Sequence, residues 1–222
     1  MKYSQNIYVS RDKNLTGFRA ILNSYIEIEA HYTKQFCDDD FAFAYGERAC
    51  VATFAAAAIR NGWAALCEHE HQKISKYDGR ENSWGRGDIY LAKKNNAEFC
   101  GEAKYKILTE TPTVKGWQGN IRRTMEAAEE DIKNSVKSRR GEDERGLAIS
   151  FLCFLQDKRN HTAGKNWMEA ALEYIANRQE FVDAYAHYVV PKKVLEGASK
   201  DWDGGFPIGF IIVLKRFGQL DT

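Results

Sequence analysis

The sequence predicts an α/β protein in which helices flank a mixed β-sheet. Segments with apolar residues at helical spacing alternate along the chain with short segments rich in β-favouring residues. One continuous apolar run at 146–155, bounded by charged residues, is typical of a strand buried on both faces. The 222 residues, 44% hydrophobic and 28% charged, suffice for one sizeable core. We therefore expect a single domain over residues 1–222.

The first part of the chain is predicted to be mainly helical. Residues 15–31 carry apolar side chains at helical spacing and predict a first helix. An alanine-rich stretch predicts a second helix that begins between residues 38 and 45 and runs to residue 63 or 66. Turn-forming residues at 77–87 close this region. Residues 1–40 then form an N-terminal helical extension of the core.

The second half of the chain is predicted to alternate between helices and strands. The pattern indicates an amphipathic helix, the buried strand, another helix and a last strand, at 117–136, 146–155, 164–189 and 207–214. The core of the domain would then span about 45–155. Residues 164–217 would add a C-terminal helix and strand.

A predicted β-hairpin joins these halves and brings two carboxylates together. Segments Asp88–Ala92 and Glu98–Tyr105 are rich in β-favouring residues and are separated by a short polar turn. If the hairpin turns about Asn95, residues whose numbers sum to 190 lie opposite one another, which pairs Asp88 with Glu102. Cβ atoms so paired are about 5 Å apart, and two carboxylates there repel unless a cation lies between them. The hairpin therefore predicts a metal site.

The chemistry of this site is predicted to be phosphodiester hydrolysis. In a strand, Glu102 and Lys104 share one face while Ala103 points to the other. Carboxylate oxygens, water and a backbone carbonyl, here that of Ala103, suit Mg²⁺ or Mn²⁺. The metal would polarise a phosphate and lower the pKa of its water, and the lysine would position that water or balance negative charge on the phosphate.

A simpler interpretation of these residues remains open. Asp88 could begin a strand, and Glu102 with Lys104 could form a solvated ion pair on an exposed sheet face. The segment Asp131-Ile132-Lys133 has the same acid-x-lysine form in a helical pattern, where we interpret it as a surface pair.

Asp88 followed by Glu102-Ala103-Lys104 resembles the PD-(D/E)XK nuclease superfamily, which has the restriction-endonuclease-like fold. The predicted order of helix, hairpin, helix and strand is similar to that family over roughly residues 45–155. Gly87 stands where the family's motif has proline. The resemblance implies that Asp88 and Glu102 hold the metal and that Lys104 is the catalytic lysine.

Glu47 is a further catalytic candidate. Many members of that family carry a glutamate on the first core helix, and Glu47 lies in the corresponding place. It shares a helical stripe with Val51 and Phe54, which are expected to point inward. The alternative is that Glu47 is only a first-turn acid favoured by the helix dipole.

Candidate nucleic-acid contacts surround the motif. Gln118 resembles a glutamine found in some branches of the family, and Arg86, Arg122 and Arg123 could contact phosphates. A solvated surface position suits each arginine equally well. The net charge of +1 argues against a protein that coats nucleic acid by bulk electrostatics, although it is compatible with a local basic cleft.

These observations predict a Mg²⁺-dependent nuclease that acts on nucleic acid, with DNA favoured over RNA, in restriction, repair or defence. The first alternative is a non-catalytic member of the same fold that binds nucleic acid or a protein. The second is an interaction protein whose end helices form a homodimer.

The amino terminus lacks an apolar signal segment, and the uncharged stretch 51–59 is too short to span a bilayer. We therefore expect a cytoplasmic protein without membrane partners.

Overall fold

The structure is a computed structural model that describes most of the chain. It covers residues 4–10, 15–36, 41–74, 81–94, 98–109, 114–137, 144–157, 160–178, 180–197 and 205–217. Within these ranges, the side chains of residues 4, 16, 69–74, 81–86, 114–115, 136–137 and 144 are outside the description.

Seven strands and five α-helices make up the described residues. The strands are β1 Ser4–Val9, β2 Ala64–Ile74, β3 Glu81–Ala92, β4 Glu98–Thr109, β5 Glu144–Gln156, β6 Ala184–Val189 and β7 Phe206–Phe217. The helices are α1 Thr16–Gln35, α2 Glu47–Arg60, α3 Val114–Lys137, α4 His161–Ala176 and α5 Lys192–Gly197, with a short 3₁₀ helix at Ala42–Tyr45.

The strands form one mixed sheet in the order β1-β6-β7-β5-β4-β3-β2. Only β4 and β5 pair in parallel among these neighbours. A parallel pair needs a crossover connection, which α3 supplies. This arrangement confirms the predicted α/β class with a mixed sheet flanked by helices.

Two helical layers cover the sheet. On one face, α1 packs through Tyr25, whose ring stacks on Phe151 of β5 and meets Phe210 of β7 edge to face. On the other face, Trp167 of α4 packs edge to face on Phe154 of β5. Side chains of a strand alternate between the faces of the sheet, so neighbouring residues of β5 pack against different helical layers. The continuous apolar run of β5 is explained by burial on both faces.

The hairpin register agrees with the prediction from the sequence. Ile89 pairs with Gly101, Tyr90 with Cys100 and Leu91 with Phe99, so each pair of numbers sums to 190. The turn residues 95–97 lie outside the described residues.

The predicted end of the second helix was wrong. Helix α2 ends at Arg60, and residues 64–74 form strand β2. Gly62 has a φ of 77°, a left-handed conformation that glycine adopts without strain and that ends helices. The predicted turn region 77–87 was also wrong in part, because β3 begins at Glu81 and pairs along β2. Residues 75–80 lie outside the described residues.

The predicted helix over 164–189 was wrong in its second half. Helix α4 ends at Ala176, and residues 184–189 form β6 between β1 and β7. Phe181 and Tyr185 fit a helical period, but pairing with β7 buries most of this segment as a strand. Strand β1 lies within the predicted helical extension and forms an edge of the sheet.

No helix in the described part of the chain is long and apolar enough to cross a membrane.

Candidate active site

The candidate site lies where β3 separates from β4. The two strands pair as far as Ile89 and Gly101. They are so close here that a Cβ atom added to Gly101 would be 2.5 Å from Ile89 Cγ2. At the next position of β3, the side chain of Asp88, and not its backbone, bonds to the β4 backbone. Its Oδ2 accepts a hydrogen bond of 2.7 Å from the Ala103 N–H. A carboxylate therefore occupies the edge of β4 directly after the last strand pair.

Glu47 occupies the following position on the same edge. It is the first residue of α2, and the backbone N–H of Tyr105 faces its carboxylate and lowers its pKa. Alternate residues of a strand direct their N–H and C=O groups to one edge, so Ala103 and Tyr105 both face away from β5. The carbonyl oxygen of Ala103 is directed to this edge as well.

Glu102 is almost fully buried, with 3% of the residue exposed. Its Oε1 accepts a hydrogen bond of 2.8 Å from the Ser135 hydroxyl of α3. Ala103 is buried on the opposite face, as the strand alternation predicts. Glu102 and Lys104 thus project from β4 toward α3, on the face that the sequence assigned to them together.

Lys104 is held by Asp131 of α3. The Lys104 Nζ lies 2.7 Å from Asp131 Oδ2, and the two side chains are 32% and 22% exposed. An ion pair this short and half-buried is screened less by solvent than an exposed pair. It fixes the ammonium group beside the edge of β4.

The charges of this cluster act on one another. Burial raises the pKa of Glu47, the negative charge of Asp88 raises it further, and Lys104 opposes both. For Lys104, burial is the largest effect and lowers the pKa, but the hydrogen bond and charge of Asp131, with Glu47 and Asp88, raise it above its ordinary value. Glu47, Asp88, Lys104 and Asp131 therefore form one electrostatic unit.

The interpretation of Asp131 as a surface residue was wrong. Asp131 contacts Lys104, whereas Lys133 pairs with Glu129 at 2.5 Å. The available signal was the helical spacing, because Asp131 and Ser135 lie one turn apart, beside the buried Ile132. Two polar residues next to the apolar stripe indicated a polar target on the sheet.

Glu68 is a second residue that the sequence did not single out. Its neighbours Cys67 and His69 pair with Ile89 and Gly87, so Glu68 stands opposite Asp88. Its φ of 52° is uncommon for a residue other than glycine. The side chain pairs with Arg48 of α2 at 3.3 Å. Strained backbone of this kind is concentrated at functional sites.

A cavity of about 300 Å³ adjoins the cluster between β4 and α3. Its lining residues are Lys104, Tyr105, Lys106, Asn120, Arg123, Thr124 and Ala127. Three of these seven side chains are cationic. The cavity therefore extends the site in the direction of Lys106.

The predicted nucleic-acid contacts lie at different places. Arg123 lines the cavity, whereas Arg122 pairs with Glu126 at 3.7 Å and is absent from the lining. Gln118 is half-buried in the first turns of α3 and is also absent from the lining. The side chain of Arg86 lies outside the description, although its backbone belongs to β3. Contact with nucleic acid stays a prediction for all four.

The donor set suits a hard divalent cation. Within the described residues, no three His, Cys, Asp or Glu side chains are grouped so that they could hold a metal ion. Mg²⁺ is commonly bound by one or two carboxylates and keeps several waters, so it does not need such a group. Asp88, Glu102 and the Ala103 carbonyl offer oxygen donors on adjacent positions of the hairpin and fit that chemistry.

Comparison with family models, with curated proteins and with solved structures found no match. The function is therefore inferred from the site itself.

Proposed function

We propose that this protein is a divalent-metal-dependent nuclease that hydrolyses phosphodiester bonds, with DNA as its favoured substrate. The main support is the convergence of Glu47, Asp88 and Lys104 at the edge of β4, beside Glu102. Acidic and basic groups that alter one another's pKa beside a cavity are typical of catalytic sites. The resemblance of Asp88 and Glu102-Ala103-Lys104 to the PD-(D/E)XK nucleases gives the reaction class.

Asp88, Glu102 and the carbonyl of Ala103 would hold Mg²⁺ or Mn²⁺. When bound, the cation supplies Lewis-acid polarisation of the phosphate and a water of lowered pKa. Ser135 orients the Glu102 carboxylate, and the Ala103 N–H orients that of Asp88. Both carboxylates are thus positioned before substrate arrives, which avoids reorganisation during the reaction.

Lys104 acts in this proposal as a fixed positive charge. Asp131 holds the Nζ at 2.7 Å, and the surrounding carboxylates keep the lysine protonated at neutral pH. An ammonium group in this state stabilises negative charge that builds on the scissile phosphate. Of the two roles predicted from the sequence, the balance of charge on the phosphate is favoured over the positioning of water.

Glu47 adjusts the charge of the site and is not essential to it. Its carboxylate lies on the edge of β4 beyond Asp88 and adds negative charge near both Asp88 and Lys104. We expect Glu47→Gln to lower the rate without abolishing it. The proposed setting is cytoplasmic nucleic-acid metabolism, in restriction, repair or defence.

The test is a cleavage panel of linear, circular and single-stranded DNA, with RNA included, in Mg²⁺ or Mn²⁺ against EDTA. Lys104→Ala should slow hydrolysis by about 100-fold or more, the scale of one electrostatic catalytic group, while substrate binding survives. Asp88→Asn should lower metal affinity, and excess Mn²⁺ should restore part of its rate.

Lys133→Ala is the matched control, because Lys133 lies on α3 and pairs with Glu129 away from the cluster. It should leave the rate unchanged. Wild-type protein that cleaves no substrate with either metal would contradict the proposal. Full activity of Lys104→Ala would remove the lysine from the mechanism alone.

The alternative is a non-catalytic protein of the same fold. One observation favours it, since Asp88 and Glu102 each already accept a hydrogen bond within the protein. Calorimetric titration with Mn²⁺ separates the two functions. The nuclease should bind the ion through Asp88 and lose that binding in Asp88→Asn, whereas the alternative predicts no binding in either protein.

A further inference from the structure

The cavity between β4 and α3 has an excess of positive charge. Lys104, Lys106 and Arg123 line it, and no acidic residue does. Lys104 is paired with Asp131. Within the described part of the chain, neither Lys106 nor Arg123 has a carboxylate within salt-bridge distance. Among the described residues, two cations of the cavity are therefore not balanced by a carboxylate.

Arg123 is held toward this cavity by its own helix. Its Nη2 donates a hydrogen bond of 2.8 Å to the Asn120 Oδ1. The Thr124 hydroxyl donates to the Asn120 backbone oxygen at 2.9 Å, so it too is fixed along the helix. Asn120, Arg123 and Thr124 all belong to the lining. The guanidinium is thus oriented by a neutral amide, which leaves its positive charge intact.

Other cations of α3 have a different arrangement. Arg122 pairs with Glu126, and Lys133 pairs with Glu129, each one turn along the helix. Such pairs neutralise charge at the surface. Arg123 follows Arg122 directly but lacks this partner. The difference between the two arginines indicates that the cavity, and not the helix surface in general, is prepared for an anion.

The chemistry of the donors indicates which anion it is. A guanidinium and an ammonium together match the several oxygens of a phosphate group. Lys104 and Lys106 lie on the same face of β4, about 6.6 Å apart along the strand at about 3.3 Å per residue. Two phosphates can therefore be contacted separately, one by each lysine.

We propose that Lys106, Arg123 and Asn120 form a phosphate-binding subsite that holds the backbone phosphate next to the one hydrolysed at Lys104. This inference rests on the proposed nuclease function and extends it to these positioning residues. The cavity of about 300 Å³ has room for a phosphate with its attached sugar. The subsite fixes the substrate strand in register with the reacting bond.

Binding without cleavage is the first measurement. A short fluorescein-labelled DNA strand is titrated by anisotropy in EDTA, over about 50 to 200 mM salt. Lys106→Ala and Arg123→Ala should each weaken binding about tenfold and reduce the salt slope by about 0.7, the value for one single-strand phosphate contact. Lys133→Ala is the matched control, because Lys133 lies on the same helix and pairs with Glu129, and it should leave the affinity and the slope near wild type. Equal losses for Lys133→Ala and Arg123→Ala would overturn the subsite.

Kinetics provide the second measurement. In the active protein, Arg123→Ala should raise KM about tenfold and change kcat less than twofold, because the group binds ground state and transition state alike. Arg123→Lys should restore part of the affinity and exclude a folding defect. A loss confined to kcat would overturn the positioning role.

The two proposals fail separately. If the wild-type protein cleaves nothing but Arg123→Ala still weakens DNA binding more than Lys133→Ala, the nuclease function fails and the phosphate site stands. If cleavage is normal and Lys106→Ala and Arg123→Ala both bind as wild type does, the subsite fails and the nuclease stands.

Discussion

Two buried glutamates on opposite faces of the sheet have different surroundings. Glu102 is 3% exposed and accepts a hydrogen bond from Ser135 on the α3 face. Glu29 of α1 is 0% exposed, and neither of its oxygens has a hydrogen-bond partner in the described part of the chain. Thr33 Oγ1 of the same helix is likewise buried without a partner in those residues.

The contrast separates two ways of burying a carboxyl group. Burial raises the pKa of Glu29 to about 8. Thr53, the Phe43 N–H and Tyr25 lower it only in part, because none reaches hydrogen-bond geometry. Glu29 is therefore accommodated by protonation, whereas Glu102 is accommodated by a donor on α3. Burial alone does not mark a functional carboxylate, and its partners are the better guide.

The largest expected difference is in activity. Glu102→Gln keeps the shape of the side chain but removes a charge from the proposed metal site. Cleavage should fall by about 100-fold or more, the scale of one electrostatic group in a catalytic site. Glu29→Gln replaces a group that is already neutral over most of the pH range and should change the rate less than twofold. Single-turnover cleavage rates compare the two, and a similar loss in both would break the distinction.

A smaller difference is expected in the pH dependence of stability. The pKa of Glu29 is about 8 in the folded protein against an ordinary value of 4.5, so the folded state binds more protons between these values. The free energy of unfolding should therefore fall as the pH rises through this window. His187 has the opposite effect below pH 6.5, because burial lowers its pKa to about 4. The contribution of Glu29 is clearest between pH 6.5 and 8.

Denaturant unfolding across pH 6.5 to 8 measures this contribution. Over those 1.5 units the loss for wild type should be about 2 kcal/mol, at 1.36 kcal/mol per unit. Glu29→Gln should flatten the profile. Glu27→Gln is the control, because Glu27 lies on the same helix but is only partly buried and is paired with Arg60. An unchanged slope in Glu29→Gln would show that the carboxyl does not titrate in this range.

The smallest difference concerns the hydroxyl groups beside each glutamate. Ser135→Ala leaves the buried Glu102 without this donor and should lower the free energy of unfolding by about 1 kcal/mol or more. Thr33→Val removes a hydroxyl that has no partner in the described residues and should be neutral or stabilising. Thermal melts of both variants would decide. Equal destabilisation would mean that the Ser135 bond contributes little.

The sequence predicted the parts of the site that depend on local order. The hairpin register followed from strand spacing, and the pairs formed by residues 89–91 confirm it. The position of Lys104 on the same face as Glu102 followed from the alternation of side chains along one strand. These predictions succeeded because the residues lie within a single hairpin, where covalent connection limits the alternatives.

The missed features depend on contacts between distant segments. Asp131 meets Lys104 only because α3 packs against β4, and the helical spacing around Asp131 does not show which side chain it contacts. Residues 184–189 have helical spacing but become a strand through pairing with β7. Tertiary pairing overrides local propensity in such segments. The contacts of Asp131 and the strand at 184–189 can therefore be identified only from the assembled sheet.

The separation of β3 from β4 has a consequence for self-association. A strand edge with unpaired N–H and C=O groups is a template on which another chain can add a strand. The Asp88 carboxylate accepts the N–H of Ala103 on that edge, and the Glu47 carboxylate faces the N–H of Tyr105. Negative charge at these positions also repels an incoming strand. The same two side chains therefore oppose edge-to-edge aggregation, whether or not the site has a catalytic role.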